Sequence, residues 1–301
     1  MSEQLRYDGR VAIVTGAGGG LGRAHALLLA SRGAKILVND LGSSAKGDGA
    51  DMGPADQVVA EIKAAGGEAV SNTDSVVDGG KIVQAAMDAF GRIDILINNA
   101  GFLRDVGFHN MTEADWTDIY QVHLFGAFKV THAAWPILRD SRYGRVINTS
   151  SAAGIYGNFG QVNYSTAKLG LHGFTQALAV EGRPRGIHVN TIAPAADSRL
   201  TRTVMTPEQL KNVQPDRVSP LAAWLCHESC NETGGLFESG GGWNAKLQWV
   251  RTKGTRVGAG EAFGPEAVRD AWGAITDFSE ASNPGDFASS MAPLTEIMGN
   301  G

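Results

Sequence analysis

The sequence predicts a doubly wound α/β fold, a seven-stranded parallel sheet with helices on both faces, followed by a C-terminal extension. Three observations carry that expectation. Strand-length apolar runs alternate with helix-length segments along the chain. The first run, Val11-Ala12-Ile13-Val14-Thr15, is nearly all apolar, as a strand buried on both faces must be. Between it and the first helix lies a glycine-rich turn, Gly16-Ala17-Gly18-Gly19-Gly20-Leu21-Gly22. Glycines let a backbone approach a pyrophosphate, and a helix amino terminus offers free N–H groups and a positive dipole end.

The 301 residues and 43% hydrophobic content suffice for one large core, and 40 glycines imply many tight turns. A net charge of −5 argues against a general nucleic-acid binder. The amino terminus shows no basic and apolar leader, and no apolar run approaches the ~20 residues a membrane span needs. The chain ends Met298-Gly299-Asn300-Gly301, without a Ser-Lys-Leu peroxisomal address. The expectation is a soluble, cytoplasmic protein. Cys226 and Cys230 flank His227 with no second pair nearby, which suits packed, reduced thiols better than a zinc site, so no metal is expected.

Each element follows in order. A helix over 23–32 closes at Gly33, and strand 35–39 ends at Asp40, near the ~20-residue distance at which a carboxylate meets an adenosine ribose. A surface-turn Asp is the alternative. Residues 42–53 read as a mobile loop. Pro54 suits the first turn of a helix running to Ala65, stopped by Gly66-Gly67. Strand 68–72 leads to Asp74, placed near the adenine, and helix 79–90 precedes strand 93–97. That strand ends in Asn98-Asn99-Ala100-Gly101, at the sheet edge where open α/β folds bind ligands. Thr112 with Asp115 caps a single long helix over 113–139, whose last turn Pro136 disturbs. Strand 145–149 delivers Ser150-Ser151, helix 161–182 carries Tyr164, and strand 187–192 ends at Pro194. Residues 195–206 lie where a substrate lid would. A short helix near Pro207, a helix over 215–230 and a seventh strand over 235–238 complete the sheet domain, 1–246. Residues 247–301 form the extension.

Tyr164 and Lys168 are four apart on one helix and so share a face. A phenol of pKa about 10 is a poor base, but a neighbouring ammonium favours the phenolate. With Ser151 holding the substrate oxygen, the group can oxidise an alcohol or reduce a ketone. Taken alone, the pair also suits a chance helical spacing; the cofactor seat upstream decides against it.

Thr15-Gly16-x-x-x-Gly20-x-Gly22, Asn98-Asn99-Ala100-Gly101, Ser151 and Tyr164-x-x-x-Lys168 together resemble the short-chain dehydrogenase/reductase family. The residues from Gly154 to Gln161, the Trp224–Cys230 stretch and Pro265-Glu266-Ala267-Val268-Arg269-Asp270 resemble its (3R)-hydroxyacyl-CoA dehydrogenase branch, found in peroxisomal multifunctional enzyme type 2 and in bacterial single-module relatives, some of them in steroid side-chain breakdown. The likeness covers nearly the whole chain. The hydratase and sterol-carrier modules are absent, which points to a stand-alone bacterial-type enzyme.

The resemblance implies roles. Gly16, Gly20, Leu21 and Gly22 line the dinucleotide phosphates, Asp40 holds the adenosine ribose with Asp74 nearby, and Asn98, Ala100, Gly101 and Pro194 flank the cofactor. Tyr164 is the acid/base, Ser151 the oxygen anchor, and Lys168 binds the nicotinamide ribose. The implied cofactor is NAD, because no cation stands at Gly19 or Leu41-Gly42 for a 2′-phosphate. Two departures stand out: His123 where many relatives have Asn, and Ala195 where Gly follows Pro194. The expected substrate is a 3-hydroxyacyl-CoA. A free hydroxysteroid is the alternative, and a non-catalytic dinucleotide sensor is the alternative of another class. The helices over 113–139 and 161–182 carry excess apolar surface, so a homodimer or homotetramer is expected. Trp249, Trp272, Phe278 and Phe287 give the extension an apolar character that calls for burial beside a substrate cleft or a partner subunit.

Overall fold

β1 (Val11–Thr15) is buried along its whole length, and its residues alternate between two cores. Ala12 and Val14 pack into the cluster on one face of the sheet, and Ile13 into the cluster on the other. β4 (Ile95–Asn98) repeats the pattern, with Ile95 and Ile97 on the first face and Leu96 on the second. Period-two alternation with apolar residues on both sides is the signature of a sheet covered by helices above and below. Each large side chain so buried contributes roughly 1.5–3 kcal/mol.

The computed structural model describes residues 4–42, 53–196, 206–258 and 264–299. Nearly all of the 42–53 loop and of the expected lid over 195–206 lies outside the described residues. The remaining strands are β2 (Lys35–Asn39), β3 (Ala69–Asn72), β5 (Gly144–Thr149), β6 (Ile187–Ala195), β7 (Leu236–Gly240) and β8 (Trp243–Leu247). The sheet order is β3-β2-β1-β4-β5-β6-β7-β8, and β1 to β7 pair in parallel. The direction of winding reverses between β1 and β4, where open sheets form a ligand crevice.

The sheet has eight strands rather than seven. β8 follows β7 after Gly241-Gly242, both at positive φ, and two residues can join only antiparallel neighbours. Its alternation of Trp243, Ala245 and Leu247 with Asn244 and Lys246 was the available signal.

The helices are α1 (Gly20–Ser31), α2 (Gly53–Ala64), α3 (Gly79–Phe90), α4 (Glu113–Tyr120), α5 (Gly126–Ser141), α6 (Ala152–Tyr156), α7 (Val162–Gly182), α8 (Pro207–Asn212) and α9 (Ser219–Cys226). Thr112 and Asp115 form a reciprocal cap at α4, as the sequence predicts. The expected single helix over 113–139 is instead broken by a π turn, Gln121–Phe125, in which the Gly126 N–H reaches back to the Gln121 carbonyl. One extra residue per turn rotates everything downstream, and such bulges cost a helix regularity it could otherwise keep. α5 runs through Pro136 to Ser141. The expected helix over 215–230 shortens to a 3₁₀ turn, Pro215–Arg217, and α9.

Cys226 and Cys230 are buried free thiols, and burial pushes the Cys226 thiol up to about 12. No helix among the described residues is long and apolar enough to cross a membrane.

The chain forms two units, Met1–Lys246 and Leu247–Gly301. The second contains α10 (Pro265–Asp270), α11 (Trp272–Ile275) and α12 (Phe287–Gly299). Within it, an isolated antiparallel bridge joins Arg251 to Ser282, and the Thr252 hydroxyl donates to the Ile275 carbonyl at 2.8 Å. Trp249, Trp272, Phe278 and Phe287 are exposed in the single chain rather than buried, because these short elements enclose no core of their own.

Candidate active site

A cleft of ≈ 850 Å³ lies along the carboxyl ends of the strands, all of it within the first unit. Its first end is built from backbone. At Thr15 the chain leaves β1 through Gly16 and Gly20, at φ +63° and +51°, a region that disfavours side chains. A Cβ on Gly16 would sit 2.7 Å from Ala100 Cα, and one on Gly18 would sit 2.6 Å from Pro54 Cβ and 2.8 Å from the Asp40 carboxylate. A side chain at Gly16 or Gly18 would therefore collide with the facing wall, and these glycines let the turn lie against Ala100, Pro54 and Asp40.

Asp40 is buried at the end of β2, and backbone donors lock it on both sides. Its Oδ2 accepts from the Gly18 N–H and its Oδ1 from the Gly42 N–H, each at 2.8 Å. A carboxylate has about four acceptor positions, so two remain for hydroxyl donors from the cleft. Asp74 is placed beyond it by Asn39 and Asn72: Asn39 Nδ2 donates to the Asp74 carbonyl at 2.8 Å and Asn72 Nδ2 to its carboxylate at 2.7 Å.

Asn99 joins the two strands at the crevice. Its Nδ2 donates to the carbonyls of Thr15 (3.0 Å) and Gly16 (3.1 Å), and its N–H donates to the Thr15 hydroxyl at 3.0 Å. Sequence reasoning attached importance to Asn98 and passed over Asn99. The structure places them differently. Asn99, Ala100 and Gly101 line the cleft, whereas Asn98 and Gly22, among the described residues, stand behind its wall. A Cβ on Gly22 would overlap the Gly16 carbonyl oxygen, so this glycine serves packing. Arg23 also reaches the cleft and is paired with Glu61. Gln214 and Asp216, from the 3₁₀ turn region before α9, were not anticipated either. No local motif marks them, since they arrive from some 200 residues downstream of the glycine turn by the chain's return path.

The second end is built from buried side chains. Ser151 caps α6, its hydroxyl accepting from the Ala153 N–H at 3.2 Å, and its side chain favours the ionised form of the neighbouring Tyr164 phenol. α6 packs closely on α7 because Gly154 lacks a side chain; a Cβ there would lie 2.9 Å from Lys168 Cβ. Lys168 is buried, its Nζ donating to the Thr149 carbonyl at 2.6 Å and standing 5.6 Å from the centre of the Tyr164 ring. The Ser150 hydroxyl in turn donates to the Lys168 carbonyl at 2.6 Å. Pro194 completes this end of the wall. The structure thus gathers Ser151, Tyr164 and Lys168 from two elements into one corner.

The electrostatics differ from the expectation that Lys168 lowers the Tyr164 pKa. In the free chain burial dominates, pushing Tyr164 up to about 12, against the opposing influence of Ser151 and with some help from the Asp105 charge. Burial also pushes Lys168 down to about 7. Desolvation disfavours the charged form of each group, so the phenol stays neutral and the ammonium is easily lost. His123, on the π turn, sits edge-on to the Tyr164 ring with centroids 5.3 Å apart. Burial, and then the Lys168 charge, hold its imidazole well below the usual histidine pKa.

The short chain dehydrogenase family profile matches residues 10–212. The chain is 54% identical over 299 residues to peroxisomal multifunctional enzyme type 2 from Mus musculus, covering 99% of this chain and 41% of that protein. It is 46% identical over 283 residues to a putative short-chain type dehydrogenase/reductase from Mycobacterium tuberculosis, covering 92% and 97% of the two. Among solved structures, full-length peroxisomal multifunctional enzyme type 2 from Drosophila melanogaster matches with a TM-score of 0.84 at 42% identity, over 98% of this chain and 50% of that one. The chain therefore spans half or less of these two multifunctional enzymes and nearly the full length of the mycobacterial protein. With its sheet order, its glycine turn and its Ser-Tyr-Lys corner, the chain belongs to the short-chain dehydrogenase/reductase family.

Proposed function

We propose that this oxidoreductase is an NAD-dependent dehydrogenase interconverting a (3R)-3-hydroxyacyl-CoA and the 3-ketoacyl-CoA, in fatty-acid or steroid side-chain β-oxidation. One observation carries the chemistry: Ser151, Tyr164 and Lys168 converge at the end of a cleft whose other end is a glycine cradle beside a locked carboxylate. The substrate class is supported by the identity to multifunctional enzyme relatives over almost the entire chain.

The residues fit a dinucleotide. Gly16, Gly18 and Gly20 would leave the turn clear for its phosphates, Asp40 would offer its two remaining acceptor positions to the adenosine ribose, and Lys168 would hold the nicotinamide ribose. A 2′-phosphate would face the Asp40 charge. When bound, the nicotinamide gives or takes the hydride. The chain's own residues handle the proton. Ser151 holds the substrate oxygen, and Tyr164 donates its phenolic proton to that oxygen in ketone reduction or removes the hydroxyl proton in alcohol oxidation. A phenol held near 12 is the correct acid for reduction; oxidation requires the phenolate, which a positive charge brought beside the phenol, such as an oxidised nicotinamide, would favour.

The exposed Trp116, Tyr120, Phe128 and Leu169 on α4, α5 and α7 support the proposal of a homodimer or homotetramer. The role proposed for the second unit is to cover long acyl chains, which its exposed aromatics suit.

Steady-state kinetics with 3-hydroxyacyl-CoA esters of several lengths, beside free hydroxysteroids, test the reading. NADH formation from the CoA esters is expected. Turnover of free steroids alone would favour the hydroxysteroid reading, and NADH binding without any turnover would favour a sensor.

A further inference from the structure

The charges that line the cleft are unevenly matched. Asp40, Asp74 and Asp216 supply carboxylates, while among the described lining residues Arg23 supplies a guanidinium and Lys168 an ammonium. Lys168 is buried at the far end, where the Thr149 carbonyl engages it. Arg23 is the cation at the glycine end, and its state bears on any ligand that carries phosphate there.

Local geometry brings it to that place. Arg23 stands in the first turn of α1, its N–H donating to the Gly19 carbonyl at 3.1 Å. Beside it runs α2, where Pro54, Gln57 and Glu61 are spaced three and four apart and so share one face. That face lies against the glycine turn: a Cβ on Gly18 would meet Pro54 Cβ at 2.6 Å and the Asp40 carboxylate at 2.8 Å. Pro54 and Gln57 line the cleft with Arg23. Glu61, one turn further on, holds the guanidinium in a two-pronged pair, Arg23 Nε donating to Oε1 at 3.2 Å and Nη2 to Oε2. The guanidinium fork that fits a carboxylate also fits a phosphate. Which anion it meets is decided by which is held in place, and the fold holds Glu61.

We propose that Glu61 is a cofactor-selectivity determinant: by occupying Arg23 it withholds a cation that would otherwise attract the 2′-phosphate of NADP. The proposal rests on the reading that the cleft takes a dinucleotide with its adenosine ribose at Asp40. Two devices then act at the same end. Asp40 repels a 2′-phosphate directly, and Glu61 cancels the nearby compensating charge. The second is the weaker. Both partners of the pair are 43% exposed, and exposed pairs between long side chains contribute little in water. The expected gain on releasing Arg23 is accordingly modest, about three- to fivefold in NADPH affinity. Asp40 stays in place, so NAD remains the preferred cofactor.

A pair that merely braces α1 against α2 would change stability and leave the cofactor ratio alone. Dissociation constants for NADH and NADPH, measured by fluorescence titration without substrate and beside melting temperatures, separate the two roles. In Glu61→Gln, NADPH affinity is expected to rise about three- to fivefold while NADH affinity stays within about twofold of wild type. Arg23→Gln/Glu61→Gln removes both charges at once, so its NADPH-to-NADH ratio is expected to return to the wild-type value. A ratio unchanged in Glu61→Gln overturns the proposal, whatever happens to the melting temperature. A gain that persists in the double variant overturns it too, because Glu61 then acts by its own charge and not through Arg23. Should Glu61→Gln not fold, Glu61→Ser carries the same test. A wild-type protein that binds neither dinucleotide is a different result, and it removes the dinucleotide reading itself.

Discussion

At the glycine end of the cleft the wall is glycine backbone and one carboxylate locked by the Gly18 and Gly42 N–H groups, whereas at the Ser151–Tyr164–Lys168 end it is buried side chains that titrate. Peptide groups cannot change charge, so the glycine turn itself presents the same shape to a ligand whatever the pH. The second end is poised by burial. The same desolvation that raises the Tyr164 phenol lowers the Lys168 amine, and both shifts act against an ion pair in the free chain. The cradle works by shape, while the reactive corner works by a balance of charge that a ligand or a neighbour can tip.

The largest test of this contrast falls on the titrating end. Tyr164→Phe removes the proton path but no charge, so kcat is expected to fall by at least ~10²–10⁴-fold with NADH affinity nearly intact. Retention of more than a tenth of the wild-type rate would remove Tyr164 from its role. Stopped-flow NADH binding, run alongside, shows whether the backbone end is indeed independent.

Lys168→Met comes next, with an expected loss of about 10² in kcat/KM and a distinctive stability profile. Because burial depresses the folded pKa of Lys168 to about 7 from the ordinary lysine value of 10.5, the unfolded chain binds more protons between those values. The cost of burying the amine is therefore full below about pH 7 and fades as pH rises through that window. The melting temperature of the wild type should gain on that of Lys168→Met between pH 7 and 10. Parallel melting curves would mean that the amine is not desolvated.

Asp40→Ser probes the backbone end. Two unit charges about 4 Å apart repel by up to ~4 kcal/mol at an effective dielectric of 20, before screening. Removal of the carboxylate is expected to improve the NADP-to-NAD efficiency ratio about tenfold to a hundredfold. Equal use of both cofactors by the wild type would show that Asp40 does not meet the ribose.

The smallest expected effect is at Asp105. Its side chain accepts from Gln161 Nε2 at 2.8 Å, and its charge adds to the rise of the Tyr164 pKa. Asp105→Asn should therefore lower that pKa and move the rising limb of the alcohol-oxidation profile to lower pH by less than a unit. A shift to higher pH would show that Asp105 reaches Tyr164 by another route, such as through the Gln161 contact.

The elements that could be read in advance are those whose cause is local. The all-apolar β1, the stop at Gly33 and the Thr112–Asp115 cap depend on neighbours in sequence and were visible there. The π turn was not, because Gln121–Phe125 is as good a helix sequence as its flanks, and only the Gly126 N–H reaching the Gln121 carbonyl makes the difference. Asn98 and Asn99 show the same limit at the site. They are adjacent and identical, yet one latches the crevice and the other begins a polar file through the sheet, a division that strand alternation and the neighbours at Thr131, Asn148 and Thr15 impose.

The winding of the sheet, the glycine turn, the place of Asp40 and the pairing of Tyr164 with Lys168 are legible in the chain, because each follows from a short-range pattern: a period, a turn chemistry or a four-residue helical spacing. Folding in three dimensions sets the burial that shifts Tyr164 and Lys168, the inward placement of His123, the retreat of Asn98 and Gly22 behind the wall, and the arrival of Gln214 and Asp216 at the cleft. The physical reason is that desolvation and hydrogen-bond partnership are properties of a residue's spatial neighbours, and most of those neighbours lie far along the chain.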